Sequence, residues 1–367
     1  MKQLEKIDVL RGVAILLVFG FHSLIGIFGD FEIGTYSGFW YDSSHTSPGQ
    51  LALNLNPVGL GHVGVKLFLI ISGFLIHWGY LRGGGQFEPA KFYNKRFWRI
   101  YPPYLVALLL FAVTLGTAGG TLSLLTHLTL THNFFKSTNF SINPSFWSLA
   151  LEMQLYLIYP LYLVLYKRLG LQNSVLIVGL VALAAIEVQL ATGVRTDTSI
   201  FKMWFVWVLG AYLGENYFHK RRLYTGKGIY LALGYVVYIL LSATVLSPYV
   251  GDVLFSVLAI HAIDWYLHTE NAFPFFPKKV ANWLAVIGVY SYSIYLFHQP
   301  FLKKLIQFFS FGFASKLWCL LGTGLAFGVI FGVAYLSYQV LELDSIKYGN
   351  RFFENFLARY SNKKTSD

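Results

Sequence analysis

Apolar runs long enough to cross a bilayer recur from residue 7 to residue 340, separated by short polar segments. A helix rises 1.5 Å per residue, so crossing the hydrocarbon core takes about 17–25 apolar residues. On that measure the pattern predicts ten transmembrane helices, near 7–29, 58–81, 101–119, 144–166, 171–193, 200–217, 228–247, 251–268, 282–305 and 315–340. The segment 200–217 is short and carries Lys202 near its start, which leaves counts of nine or eleven open. A cleaved secretory signal would be one short run followed by polar chain, and this chain is the opposite. No internal repeat is visible. The expectation is an all-α polytopic transmembrane helical bundle, with a membrane domain over 1–345 and a short basic cytoplasmic tail over 346–367.

Composition agrees: 56% of residues are hydrophobic and 12% are charged, against roughly 25% charged in an ordinary soluble domain. A net charge of +11 would fit nucleic acid, but the basic residues sit in the short segments between apolar runs, as orientation in a membrane requires. Twenty Lys and Arg fall on one side of the expected spans and six on the other, which puts both termini in the cytoplasm. The loop 30–57 carries Asp30, Glu32 and Asp42 but no Lys or Arg, as an outer loop would. The single cysteine, Cys319, lies in an apolar run and reads as packing. The segments between spans are too short for a soluble catalytic domain, so any chemistry belongs to the membrane domain, in the inner or plasma membrane of the cell.

Charge inside lipid costs a few kcal/mol even on mild scales, which makes intramembrane ionisable residues functional candidates. Arg11, His22, Lys66, His77, Glu152, Glu187, His261, Asp264 and His298 fall within the expected spans. His22, Lys66, Glu152 and His298 lie roughly 9–12 Å below the outer surface by helical rise. Four helices therefore offer two imidazoles, a cation and a carboxylate at one depth. Two readings stay open for Lys66 and Glu152: a buried ion pair, or support for chemistry at His22. His298 and His261 also suit helix-to-helix hydrogen bonding. His77, Glu187 and Asp264 lie nearer span ends and are expected to be solvated.

The residues around these positions carry a resemblance. Ile7-Asp8-Val9-Leu10-Arg11-Gly12, with His22 eleven residues after Arg11, resembles the opening signature of the acyltransferase-3 family of membrane acyltransferases. Gly64-Val65-Lys66-Leu67-Phe68 and Ile71-Ser72-Gly73-Phe74-Leu75-Ile76 are similar to its second block. Arg96-Phe97-Trp98-Arg99-Ile100-Tyr101-Pro102 is similar to its paired-arginine motif. Pro144-Ser145-Phe146-Trp147-Ser148-Leu149-Ala150-Leu151-Glu152 and Tyr290-Ser291-Tyr292-Ser293-Ile294-Tyr295-Leu296-Phe297-His298-Gln299-Pro300 complete the order. Many relatives have an acidic or small polar residue where Lys66 stands, and a second carboxylate where Met153 follows Glu152.

The resemblance implies transfer of an acyl group, most often acetyl, from cytoplasmic acyl-CoA to a hydroxyl of a cell-surface or lipid-linked saccharide. Acyl-CoA is then a co-substrate, with no permanently bound cofactor and no metal. Arg96 and Arg99, at the cytoplasmic boundary, are the expected seat of the CoA phosphates, because guanidinium forks bind phosphate by charge-assisted hydrogen bonds. Arg11 and His22 are about 16 Å apart along their helix, a span suited to the pantetheine arm. His22 is the expected general base, with a transient acyl-histidine as the other route. Glu152 is expected to orient His22, Lys66 and His298 to give electrostatic support, and Trp147 to meet the acceptor. A proton-coupled transporter is the alternative from another class, since buried His, Glu and Lys also build proton relays; a membrane glycosyltransferase is a third.

Orientation can be tested directly. In a Cys319→Ala background, a cysteine at Ser44 should react with an impermeant maleimide in intact cells and one at Ser361 should not; the reverse pattern would invert the topology.

Overall fold

The computed structural model describes residues 3–28, 61, 63–117, 119–193, 198–244, 248–269, 277–311 and 315–364. Among the described residues the regular structure is helical, with no strand. Lipid offers no partner to backbone N–H and C=O groups, and a helix satisfies them internally. The elements are α1 (Gln3–Phe28), α2 (Val63–Arg82), α3 (Pro89–Leu115), a short α4 (Gly120–Leu128), α5 (Trp147–Thr192), α6 (Ile200–Phe218), α7 (Gly228–Thr244), α8 (Pro248–His268), α9 (Lys278–Val289), α10 (Ser291–Phe309), α11 (Lys316–Ser337) and α12 (Leu343–Lys364). By length and apolarity α1, α2, α3, α5, α8 and α11 can each cross a membrane, and α9 with α10 forms a seventh, bent candidate.

Four departures from the sequence reading shape the site. First, α3 begins at Pro89 and not near residue 101. Proline suits the first turn because its missing N–H has no helical partner there, and Pro102 and Pro103 lie within the helix without ending it. Arg96 and Arg99 therefore lie on the spanning helix itself, three residues apart on one face. Second, 144–166 and 171–193 belong to one long α5, broken at Gly170, whose φ of 79° and ψ of 170° only glycine adopts readily. Third, 282–305 is not one straight span, since α9 and α10 meet at a 75° bend. Tyr290 stands at the corner, and its ring packs 5.4, 5.6 and 5.1 Å from those of Phe331, Tyr335 and Tyr338. Fourth, the stretch expected as an outer loop after α3 folds back along that helix. The hydroxyls of Tyr101 and Tyr104, midway along α3, donate to the carbonyls of Leu128 and His127 at 2.9 Å each.

Two apolar clusters hold the bundle. One joins α2, α5, α6 and α8 around Phe74, Leu155, Tyr159 and Trp207. The other joins α1, α3, α10 and α11 around Ile15, Leu108, Phe146 and Leu296. Helices in lipid associate by close packing, which small residues permit. A Cβ added at Gly73 would overlap the Trp207 carbonyl, and one at Gly210 the Ile70 carbonyl, so α2 and α6 touch backbone to backbone. Gly12 and Gly288 do the same for α1 and α9. Residues 343–364 form the helix α12, whose first turns dock on α3: Ser345 Oγ donates to the Trp98 carbonyl at 2.6 Å, and Asn94 Nδ2 to the Gly349 carbonyl at 2.9 Å.

This packing predicts that Gly210→Leu costs about 2 kcal/mol or more, because a side chain is forced into backbone. Gly324→Leu, which points into open space, should leave thermal unfolding in detergent unchanged. Equal unfolding temperatures for the two variants would refute the close contact.

Candidate active site

A cavity opens among α1, α2, α3, α5 and α10, with ≈ 830 Å³ of empty space including its mouth. Val65, Phe68, Leu69 and Leu75 of α2 give it an apolar wall. Its polar groups are Arg11 from α1, Ser72 from α2, Arg96 and Arg99 from α3, and Glu152 and Tyr156 from α5. The extension of α3 past residue 101 is what turns its arginine pair into this space. The Arg96 guanidinium sits 5.4 Å from the Tyr156 ring centroid and 5.7 Å from that of Phe92. Its Nε is buried with no protein partner, and a buried N–H without an acceptor is a rare and costly arrangement. Arg11 Nη1 lies 3.6 Å from Asp8 on its own helix. Glu152 accepts from the Tyr156 hydroxyl, which is 3.2 Å from Ser72 Oγ.

Beside Tyr295, which lines the cavity, stand two histidines, the ring of His298 lying 5.3 Å from that of Tyr295. His22 Nδ1 and His298 Nε2 are 3.0 Å apart, and His298 Nδ1 is 2.9 Å from the Tyr295 carbonyl. A carbonyl only accepts, so His298 carries its proton on Nδ1 and presents a lone pair at Nε2. His22 must then donate from Nδ1, which leaves a lone pair on its own Nε2. Ser145 Oγ is 3.4 Å from His298 Nε2 and donates to Gln299 Oε1. The Tyr295 hydroxyl donates to the Ser145 carbonyl at 3.0 Å and lies 2.6 Å from Ser148 Oγ. Ser148 and Tyr295 also line the cavity. The bend at Tyr290 is what sets Ser291, Tyr292 and Tyr295 against the cavity while His298, further along α10, reaches α1.

The structure therefore brings His22 to His298, and Arg11, Arg96, Arg99 and Glu152 to one cavity. It does not bring Glu152 to His22, whose hydrogen-bond partner is His298. Nor does it pair Lys66 with Glu152 or set it beside His22. Lys66 points to α8, where Asp252 accepts from both Lys66 and Lys202, the latter at 2.9 Å. The correction is physical: equal depth does not make equal direction, and helical rotation aims Lys66 away from Glu152. Trp147, at the start of α5, is partly buried against both apolar clusters.

The expectation that His77 and Asp264 are solvated is also overturned, since both are fully buried. His77 Nε2 is 3.0 Å from Glu215, which also accepts from Tyr166 at 3.0 Å. Asp264 accepts from the backbone N–H groups of Leu223 and Tyr224 at 2.9 and 3.0 Å and fixes the turn between α6 and α7. His261 bonds the Val257 carbonyl on its own helix at 2.7 Å, and Glu187 is exposed. The apolar pattern does not single out Asp252, Glu215 or Glu342. The signals in the sequence were indirect: Lys202 and His77, in apolar segments, each demanded a carboxylate.

Residues 4–338 match the family model for an acyltransferase domain. No curated protein and no solved structure matches the chain. The matched range contains every residue that lines the cavity, together with both histidines. With nearly its whole length inside that match, and with an arginine-lined cavity carried on helices long and apolar enough to cross a membrane, the chain belongs to the acyltransferase-3 family of membrane acyltransferases.

Proposed function

We propose that the protein transfers an acyl group, acetyl in the first instance, from cytoplasmic acyl-CoA to a saccharide hydroxyl presented at the outer face of the inner or plasma membrane. The observation that carries this reading is one cavity lined by three arginines, whose wall residue Tyr295 packs its ring 5.3 Å from that of His298, the partner of His22. Arg96 and Arg99 hold the phosphates of CoA, and the unpartnered Arg96 Nε is a donor awaiting an anion. The pantetheine arm runs past Arg11 along the apolar wall of α2, about 16 Å of helix from Arg11 to His22. In this reading the bundle makes ten crossings with both termini cytoplasmic, the two halves of α5 and the helices α6 and α7 counting as spans.

His22 Nε2 takes the proton of the acceptor hydroxyl as its oxygen attacks the thioester carbonyl. The tetrahedral intermediate collapses, the C–S bond breaks, and the CoA thiolate recovers the proton from His22. In the resting state His298 holds His22 in the tautomer with Nε2 free, and it goes on accepting from Nδ1 while Nε2 carries the proton, a task given to Asp in better-known triads. A neutral imidazole suits this role here because the resting pair carries no charge that lipid would penalise. Glu152, bonded to Tyr156 in the arginine cluster, acts on the donor end and not on His22. Trp147 remains the proposed aromatic face for the sugar, reached from the outer side. A proton-coupled transporter would need no arginine-lined seat.

Replacing His22 by Ala should lower acyl transfer about 10³-fold while CoA binding persists, because general-base catalysis contributes roughly 10²–10⁴ and acts on turnover. Wild-type turnover with the true acceptor would overturn the mechanism, and proton-coupled solute flux without acyl-CoA consumption would decide for transport.

The tautomer argument makes a separate prediction for His298. His298→Gln keeps an oxygen that can accept from His22 Nδ1, so it should retain at least about tenfold more activity than His298→Ala, in line with one charge-assisted bond to the imidazolium. Equal losses in the two folded variants would show that His298 does not set the tautomer.

A further inference from the structure

The arginine-lined cavity has a third carboxylate behind it, on an irregular turn. Between α11 and α12, residues Tyr338–Glu342 form a π-helical turn. Such a turn holds one more residue than an α-turn, so it rotates the succeeding helix by about 100°. Glu342 is thereby set inward, 2% exposed, where Ser293 Oγ donates to its Oε2 at 3.2 Å. Ser293 lies between the cavity residues Ser291, Tyr292 and Tyr295 on α10. Glu342 lies within electrostatic reach of Arg99 and Arg11. Yet among the described residues no direct ion pair joins Glu342 to either arginine; its hydrogen bond goes to Ser293. Glu342 thus occupies none of their N–H groups, and Arg96 Nε has no protein acceptor.

We propose that Glu342 is the internal counter-charge of the arginine seat and sets how tightly that seat holds a phosphate-bearing ligand. Three guanidinium groups facing one another in a bundle core repel and need balancing charge. Asp8, Glu152 and Glu342 supply three carboxylates, and Glu342 does so at a distance that occupies none of the donors. An arriving polyanion meets N–H donors that Glu342 does not occupy, together with the opposing field of that buried carboxylate. The first gives recognition; the second keeps the grip weak enough for the spent carrier to leave, since ground-state binding beyond need does not raise turnover. Glu342 touches no reacting atom in this scheme. It is a positioning and tuning residue that acts through Arg99 and Arg11.

This inference rests on the donor reading above, and coenzyme A itself is the probe that separates the two. Calorimetric titration of the full-length protein in detergent with CoA should give a Kd about tenfold lower for Glu342→Gln than for wild type, because removing one nearby negative charge favours an anion. Product inhibition by CoA should sharpen by the same factor, and the difference should shrink as salt rises. Ser293→Ala, which releases the carboxylate without removing it, should shift CoA affinity less than Glu342→Gln does. Tightening is a sensitive readout, because structural damage to the seat would weaken binding. Unchanged or weaker CoA binding in Glu342→Gln, with wild type binding normally, overturns the role assigned to Glu342. Failure of both proteins to bind CoA overturns the donor reading and this inference with it.

Discussion

Charge placed where lipid cannot solvate it must be answered by other protein groups, and that constraint organises this molecule. Lys66 and Lys202 come from two helices and converge on Asp252 of a third. Each cation alone would cost several kcal/mol inside a bundle, and breaking such a group leaves an orphan. The pairing therefore ties α2, α6 and α8 in one rotational setting. His77 and Glu215 repeat the device lower in the same helices, with Tyr166 satisfying the carboxylate. Once α2 and α6 are locked by these pairs and by glycine contacts, the opposite face of α2 is left to wall the cavity.

The cavity is the place where the rule is only partly obeyed. Arg11, Arg96 and Arg99 are balanced in number by Asp8, Glu152 and Glu342, but their donors are not all used, and Arg96 Nε has no partner. In the proposed reading a phosphate-bearing ligand fills that capacity. The histidine pair is the reverse case. Its hydrogen bonds run in one direction, from His22 to His298 and from His298 to the Tyr295 carbonyl, and the sole ring nitrogen they leave as an acceptor is His22 Nε2. A neutral histidine pair and a separate charged cluster divide the proposed labour of proton transfer and anion binding.

Two backbone irregularities make this division possible. The bend at Tyr290 lets α10 serve both the cavity, through Tyr292 and Tyr295, and α1, through His298. The π-turn at Tyr338–Glu342 brings a carboxylate in behind the arginines. Each is held by side chains: Tyr290 by three rings of α11 and its π-turn, and the start of α12 by Trp98 and Asn94 of α3. Irregular backbone of this kind persists in a membrane bundle only where neighbouring groups satisfy it.

A helical membrane protein, the approximate extent of its apolar stretches and the residues of the family signature are all legible in the sequence. Those facts depend on local composition and spacing: lipid demands long apolar runs, and His22, Arg11, Arg96, Arg99 and Glu152 are legible as charges out of place or as parts of motifs. Direction was not legible. Lys66 and Glu152 lie at matching depth, yet Lys66 meets Asp252, and His22 meets His298 where Glu152 was expected. Partner choice depends on helix rotation, on a bend at one tyrosine and on one extra residue in a turn. Those are set by packing between segments distant in the chain, and they emerge once the helices are assembled.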